Sequence, residues 1–174
     1  RDQVLTHDQL NSITDYLDDH NRLTRVNLLG VGIACGLRVS LQGDTVKVSK
    51  GAGITTDGDI LYFNNDAIFD KFKLYDKSKP AYAPFYMNGD TTGEMITVYE
   101  LVRQGTVDEL AASLNQFNTQ TGSALGNMVS VLFMESYKTD RDICSGTDCD
   151  NLGQDCVNSV KLLMVDKIAL ASML

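Results

Sequence analysis

Residues 36–63 read GLRVSLQGDTVKVSKGAGITTDGDILYF, and the period of their apolar residues decides the fold class. Leu37, Val39 and Leu41 alternate with Arg38 and Ser40, and Val46 and Val48 alternate with Lys47 and Ser49. A period of two sends successive side chains to opposite faces of a strand. Gln42-Gly43-Asp44 between the two runs is a short turn, so residues 36–50 are predicted to form a β-hairpin. Asp57-Gly58 marks a second turn, because glycine takes positive φ without steric cost. The whole stretch is therefore expected to be a continuous meander of short antiparallel strands.

The glycines of this region also invite a nucleotide reading. GVGIACG at 30–36 and GAGITTDG at 51–58 each begin G-x-G. The dinucleotide fingerprint needs a third glycine three residues on, a preceding strand and a following helix. Cys35 and Thr56 occupy those third positions. The first cluster follows a helical pattern and enters a strand, and the second lies between strands. An anion rests on the N-terminus of the helix after the loop, so this order fits tight turns and close backbone approach instead.

Upstream the period is helical. Thr6 with Gln9 forms a capping-box pattern, and Asp8 suits the first turn. At 100° per residue up to about Val26, Leu10, Ile13, Tyr16, Leu17 and Leu23 share one face; Asp15, Asp18, Asp19, Arg22 and Arg25 share the other. His20 falls near the middle of the apolar face, where a buried, hydrogen-bonded histidine is expected. Gly30 ends the pattern. Downstream, EMITVYELV and MVSVLFMES are strand-like, TVDELAASLNQFN is a predicted short helix capped by Thr106 and Glu109, and VNSVKLLMVDKIALASML begins as a strand and ends helical. The predicted class is α+β, mainly antiparallel β hairpins and meander, with an N-terminal amphipathic helix and one short internal helix. Residues 1–75 form a helix-plus-hairpin module, 76–93 a linker or long loop carrying both prolines, and 94–174 a second α+β part of the same domain.

The chain has 174 residues, 43% of them hydrophobic and 22% charged, enough for a globular core without metals or disulfides. Its net charge of −8 and scattered basic residues argue against nucleic acid and anionic membranes as partners. No run reaches the ~18 apolar residues of a membrane helix, and no signal peptide is visible. The start at Arg1 and the end on SML are expected to be cuts in a longer parent chain.

Candidate chemistry is sparse. Cys144, Cys149 and Cys156 lie in CSGTDCDNLGQDC, with four and six residues between them. A zinc site would need a fourth ligand nearby, and only His7 or His20, both distant in sequence, could help. Free thiols, a Cys144–Cys149 disulfide and a metal site all stay open, with the metal-free reading preferred. Asp148, Asp150 and Gly153 match part of a calcium loop, but Leu152 stands where an oxygen ligand is required, and Ser159 stands at position twelve in place of the bidentate Glu. Asp18 and Asp19 are adjacent and point about 100° apart on a helix. Neither G-x-S-x-G nor H-E-x-x-H occurs. No catalytic, cofactor-binding or metal residue is assigned, and the chain is not expected to be an enzyme.

One resemblance emerges from the order of these features. Gly36, Leu37 and Val39, then Val46, Val48, Gly51, Gly53 and Ile54, then Asp57, Gly58 and Ile60 follow a G-L-x-V, V-x-V-x-x-G-x-G-I, D-G-x-x-I/L pattern. It resembles phage tail-fibre and baseplate-associated proteins, and is similar to structural proteins of contractile injection systems. The resemblance covers about a quarter of the chain. It implies a structural subunit of a virion or injection particle, assembled in the bacterial cytoplasm and then released, with copies of itself (a homotrimer in a fibre or spike) and other particle subunits as partners. Two alternatives stand beside it. A surface module binding a ligand or receptor would use aromatics such as Tyr82, Phe85 and Tyr86; a metal-dependent enzyme would use the cysteine loop.

Overall fold

The helix forms where the sequence places its cap. In the computed structural model, which describes residues 6–76, 95–140 and 154–171, helix α1 spans His7–Thr24. Thr6 Oγ1 accepts from the Gln9 amide at 3.4 Å, and the Thr6 amide donates back to Gln9 Oε1 at 3.1 Å, which completes the capping box. The helix does not stop at Val26. It widens into a five-residue π-helical segment, Arg25–Leu29, closed by the Gly30 amide donating to Arg25 O at 3.0 Å.

The strands are β1 (Gly32–Gly36), β2 (Val39–Gln42), β3 (Thr45–Val48), β4 (Gly51–Ile54), β5 (Ile60–Phe63) and β6 (Ala67–Leu74). They continue as β7 (Val98–Arg103), β8 (Ala112–Ser113), β9 (Met128–Asp140) and β10 (Gln154–Asp166), with short helices α2 (Phe117–Thr121) and α3 (Lys167–Ala171). The protein is thus α+β and mostly antiparallel. The chain divides into two compact units, Arg1–Arg38 with Val48–Ala67, and Val39–Lys47 with Ile68–Leu174.

The first unit holds α1 and a three-stranded sheet ordered β1-β4-β5. Its glycine ladder explains the pairing. Gly36 lies opposite Gly51, and a Cβ on Gly51 would overlap the Cys35 carbonyl oxygen. Only glycine permits that approach. At the other end of β4, Thr55 N donates to Asp59 O at 2.9 Å around the Asp57-Gly58 turn, where Gly58 has φ +83°.

The second unit is a seven-stranded sheet in the order β2-β3-β6-β7-β10-β9, with β8 pairing to β6. On one face Phe72, Tyr99 and Phe117 meet edge to face, with centroids 4.8 to 6.0 Å apart. On the other, Tyr75, Ile96, Val98, Leu163 and Val165 form a buried cluster, against which Ala169 and Leu170 of α3 pack.

Two expectations need correction. Residues 36–63 are not one continuous meander: β2 and β3 belong to the larger sheet, whereas β4 pairs with β5 on one side and with β1 on the other. Alternation fixes which side chains share a face but not which strand lies alongside, and the Gly36–Gly51 contact selects β1 as the neighbour of β4. The internal helix also lies later than Thr106. Asp108 Oδ1 accepts from the Leu110 amide at 3.0 Å and Asp108 Oδ2 from Lys73 Nζ at 2.8 Å, holding this stretch in turns. The helical residues are a 3₁₀ turn at Leu114–Gln116 followed by α2.

Candidate functional site

Alternation on the long strands of the second unit puts one charged residue from each inward position onto a shared face. Lys73 on β6 lies opposite Glu100 on β7, and Ser159 on β10 lies opposite Glu135 on β9. Lys161, two residues along β10 from Ser159, sits between them. The result is a ladder of alternating sign. Lys73 Nζ lies 2.8 Å from Asp108 Oδ2 and 3.9 Å from Glu100 Oε2. Lys161 Nζ lies 3.4 Å from Glu100 Oε2 and 3.3 Å from Glu135 Oε2, and Ser159 Oγ donates to Glu135 Oε2 at 3.0 Å.

Glu135 is 4% exposed, and its Oε1 has no hydrogen-bond partner. The ladder ends where the apolar cluster begins, and Lys161 Nζ lies 5.9 Å from the centre of the Tyr75 ring. Burial pushes the Lys73 ammonium down, but the Asp108 hydrogen bond and the charges of Glu100 and Asp108 outweigh it and raise its pKa. A lysine acting as nucleophile or base needs the opposite shift. This group stays a cation at neutral pH, which suits cross-linking of strands.

Asp108 is held below the usual carboxylate range, first by the Lys73 hydrogen bond and then by the Leu110 amide. A carboxyl depressed in the folded state stabilises the fold above its unfolded pKa, and that stability is lost as pH falls through the folded value. The stability difference between wild type and Asp108→Asn should therefore be constant above about pH 5 and shrink toward zero as pH falls to about 2. Urea titrations at stepped pH check this; a difference that persists at the acid end would remove Asp108 from the ladder.

In the first unit the chemistry is different. Arg22 Nη2 bonds Asp59 Oδ1 at 2.9 Å, Arg22 Nε bonds Asp18 at 2.9 Å, and Arg25 Nη1 donates to Gly58 O at 2.9 Å. These contacts pin the C-terminal end of α1 to the β4–β5 turn. Burial lowers the Arg22 pKa, but Asp59 and Asp18 more than compensate and raise it overall. An open hollow of about 490 Å³ beside them is lined by Asp19, Arg22, Leu23, Val26, Thr56 and Asp57; its one arginine is already neutralised by Asp18 and Asp59. A Cβ at Gly58 would lie 2.6 Å from Arg22 O. Gly58→Ala should cost at least about 1–2 kcal/mol from the left-handed backbone alone, and should speed amide exchange over the last turn of α1. Unchanged exchange there would refute the anchoring role.

Beyond that anchor the helix is bare. Every described residue from Asp8 to Asn21 is exposed. The predicted apolar face is confirmed as a stripe but is not covered: Leu10, Ile13, Tyr16, Leu17 and Leu23 are 52–59% exposed. His20, expected to be buried, is exposed as well, with its ring centroid 4.2 Å from that of Tyr16. A helix face needs a second surface to bury it, and the first unit's small sheet leaves this one uncovered.

The remaining sequence candidates are scattered. Cys35 is an exposed free thiol in β1. Cys156 stands in β10 opposite Lys138, and Ser159, at the twelfth position of the partial calcium pattern, is part of the charged ladder. Cys144, Asp148, Cys149, Asp150, Leu152 and Gly153 lie outside the described residues, as do Tyr82, Phe85 and Tyr86. Among the described residues no group of three or more His, Cys, Asp or Glu is placed to hold a metal, and no helix is long and apolar enough to cross a membrane. Gly51 and Gly53 sit within β4, paired on both sides, and open no helix. The ladder escaped sequence reading because its members are far apart in the chain. The available signal was a single charge inside each apolar run: YELV, VKLLM and FMES.

No protein-family model matches the sequence, and no curated protein matches it.

Proposed function

We propose that this chain is a structural subunit that works by assembly, as a tail-fibre, baseplate or tip-associated part of a phage-tail-like contractile injection particle. The observation that carries this reading is the exposed apolar stripe of α1. A stripe of this length in water is an interface awaiting a partner. The charged ladder supports it in a second way, since its cations are committed to neighbouring carboxylates and stiffen the larger sheet. In lysates of the producing bacterium the chain should sediment with tail-shaped particles, and an antibody against it should label one end or the fibres of those particles in electron micrographs. A chain found wholly in the low-mass soluble fraction would overturn the reading.

A further inference from the structure

The spacing on α1 is that of a coiled-coil seam. Leu10, Ile13, Leu17, His20 and Thr24 alternate by three and four residues, which places Leu10, Leu17 and Thr24 at a positions and Ile13 and His20 at d. The flanking e and g positions of this register are Gln9, Thr14, Tyr16, Asn21 and Leu23, and none of them is charged. Asp8, Asp15, Asp18, Asp19 and Arg22 all fall at b, c and f, away from the seam. A chain of net charge −8 can therefore bring identical helices together without opposing like charges.

Direction follows from what lies beyond the helix. Leu28 and Leu29 of the π-helical segment, Val31 after it and Ile33 of β1 are 52–78% exposed, and all follow the C-terminal end of α1 in the chain. A parallel arrangement gathers these residues from all copies at one end. An antiparallel one would set them against the polar cap at Thr6. Nor can an antiparallel pair gain much from charge, because Arg22 already bonds Asp18 and Asp59 and Arg25 is tied to Gly58.

The stripe and the residues that follow it are each 52–78% exposed, so the seam offers apolar surface along its length for a neighbouring copy to cover. In the first heptad Leu10 at a stands with Ile13 at d, the pairing that shifts parallel coiled coils toward three or four strands. We infer that α1 is the self-assembly element of this protein: copies of the chain pack it in parallel and in register, with three or more helices around one axis. The inference rests on the assembly reading above, and deepens it by naming the partner as the chain itself.

The test uses the whole chain at tens of micromolar, well above the range of weak association. Sedimentation or light scattering should give at least three times the monomer mass. Leu17→Asp should reduce it to the monomer with an unchanged circular dichroism spectrum, while Leu17→Met should keep the oligomer. A photo-reactive phenylalanine at Leu10 should cross-link to residues 9–13 of another copy. A monomeric wild type, or an oligomer that Leu17→Asp leaves intact, overturns the seam; cross-links to residues 23–28 overturn the parallel register. If the wild type is monomeric yet still sediments with particles, the self-assembly inference fails and the proposed role survives with a different partner.

Discussion

Replacing Lys161 by methionine should destabilise the protein by about 3–5 kcal/mol, the range found when one member of a buried ion pair is removed. The side chain of Lys161 is 11% exposed and that of Glu135 4%, so the substitution strands a carboxylate away from water. It also withdraws the cation 3.4 Å from Glu100 Oε2, leaving Lys73, at 3.9 Å, as the nearest charge to that group in the ladder. Methionine keeps the length of the stem, so packing against the Tyr75 cluster changes little. Adding Glu135→Gln in the same chain should recover part of the loss, since a neutral amide is far cheaper to bury than a lone charge. Urea unfolding followed by circular dichroism measures both variants. A loss below about 1 kcal/mol, typical of a solvated surface pair, would show that the ladder is not dry.

Gly51→Ala should be nearly as damaging, for a steric reason. The new Cβ would overlap the carbonyl oxygen of Cys35 and lie 2.7 Å from the Gly36 Cα. These are backbone atoms of the paired strand, so no side chain can swing aside. The expected cost is about 3 kcal/mol, at the upper end of overpacking penalties, with β1 separating from β4 and the Ile33 and Gly53 amides losing exchange protection. Gly126→Ala is the control: a Cβ there meets nothing within 4 Å, and surface changes of this kind stay within about 0.5 kcal/mol. Equal melting temperatures for Gly51→Ala and wild type would refute the close-approach account.

Helix α1, its capping box, the turns at Gly43 and Gly58 and the α+β class were legible in the sequence because each is set by neighbours a few residues apart. Thr6 needs only Gln9, and the Asp57-Gly58 turn needs only Thr55 and Asp59. The stripe of Leu10, Ile13 and Leu17 follows from 3.6-residue periodicity alone. What covers that stripe did not: His20 was expected to be buried and is exposed, because burial depends on a surface outside the helix. Pairing was equally hidden. The strands at 39–48 and 51–63 carry the same alternation, yet they join different sheets, because partners are chosen by contacts such as Gly36 against Gly51 rather than by period. The ladder from Asp108 to Glu135 shows the same limit, since Lys73 and Lys161 read as isolated basic residues until β6, β7, β10 and β9 come into register. Local spacing determined which residues share a face; long-range pairing decided which faces meet, because a strand's hydrogen bonds are satisfied only by a neighbour that the strand itself does not encode.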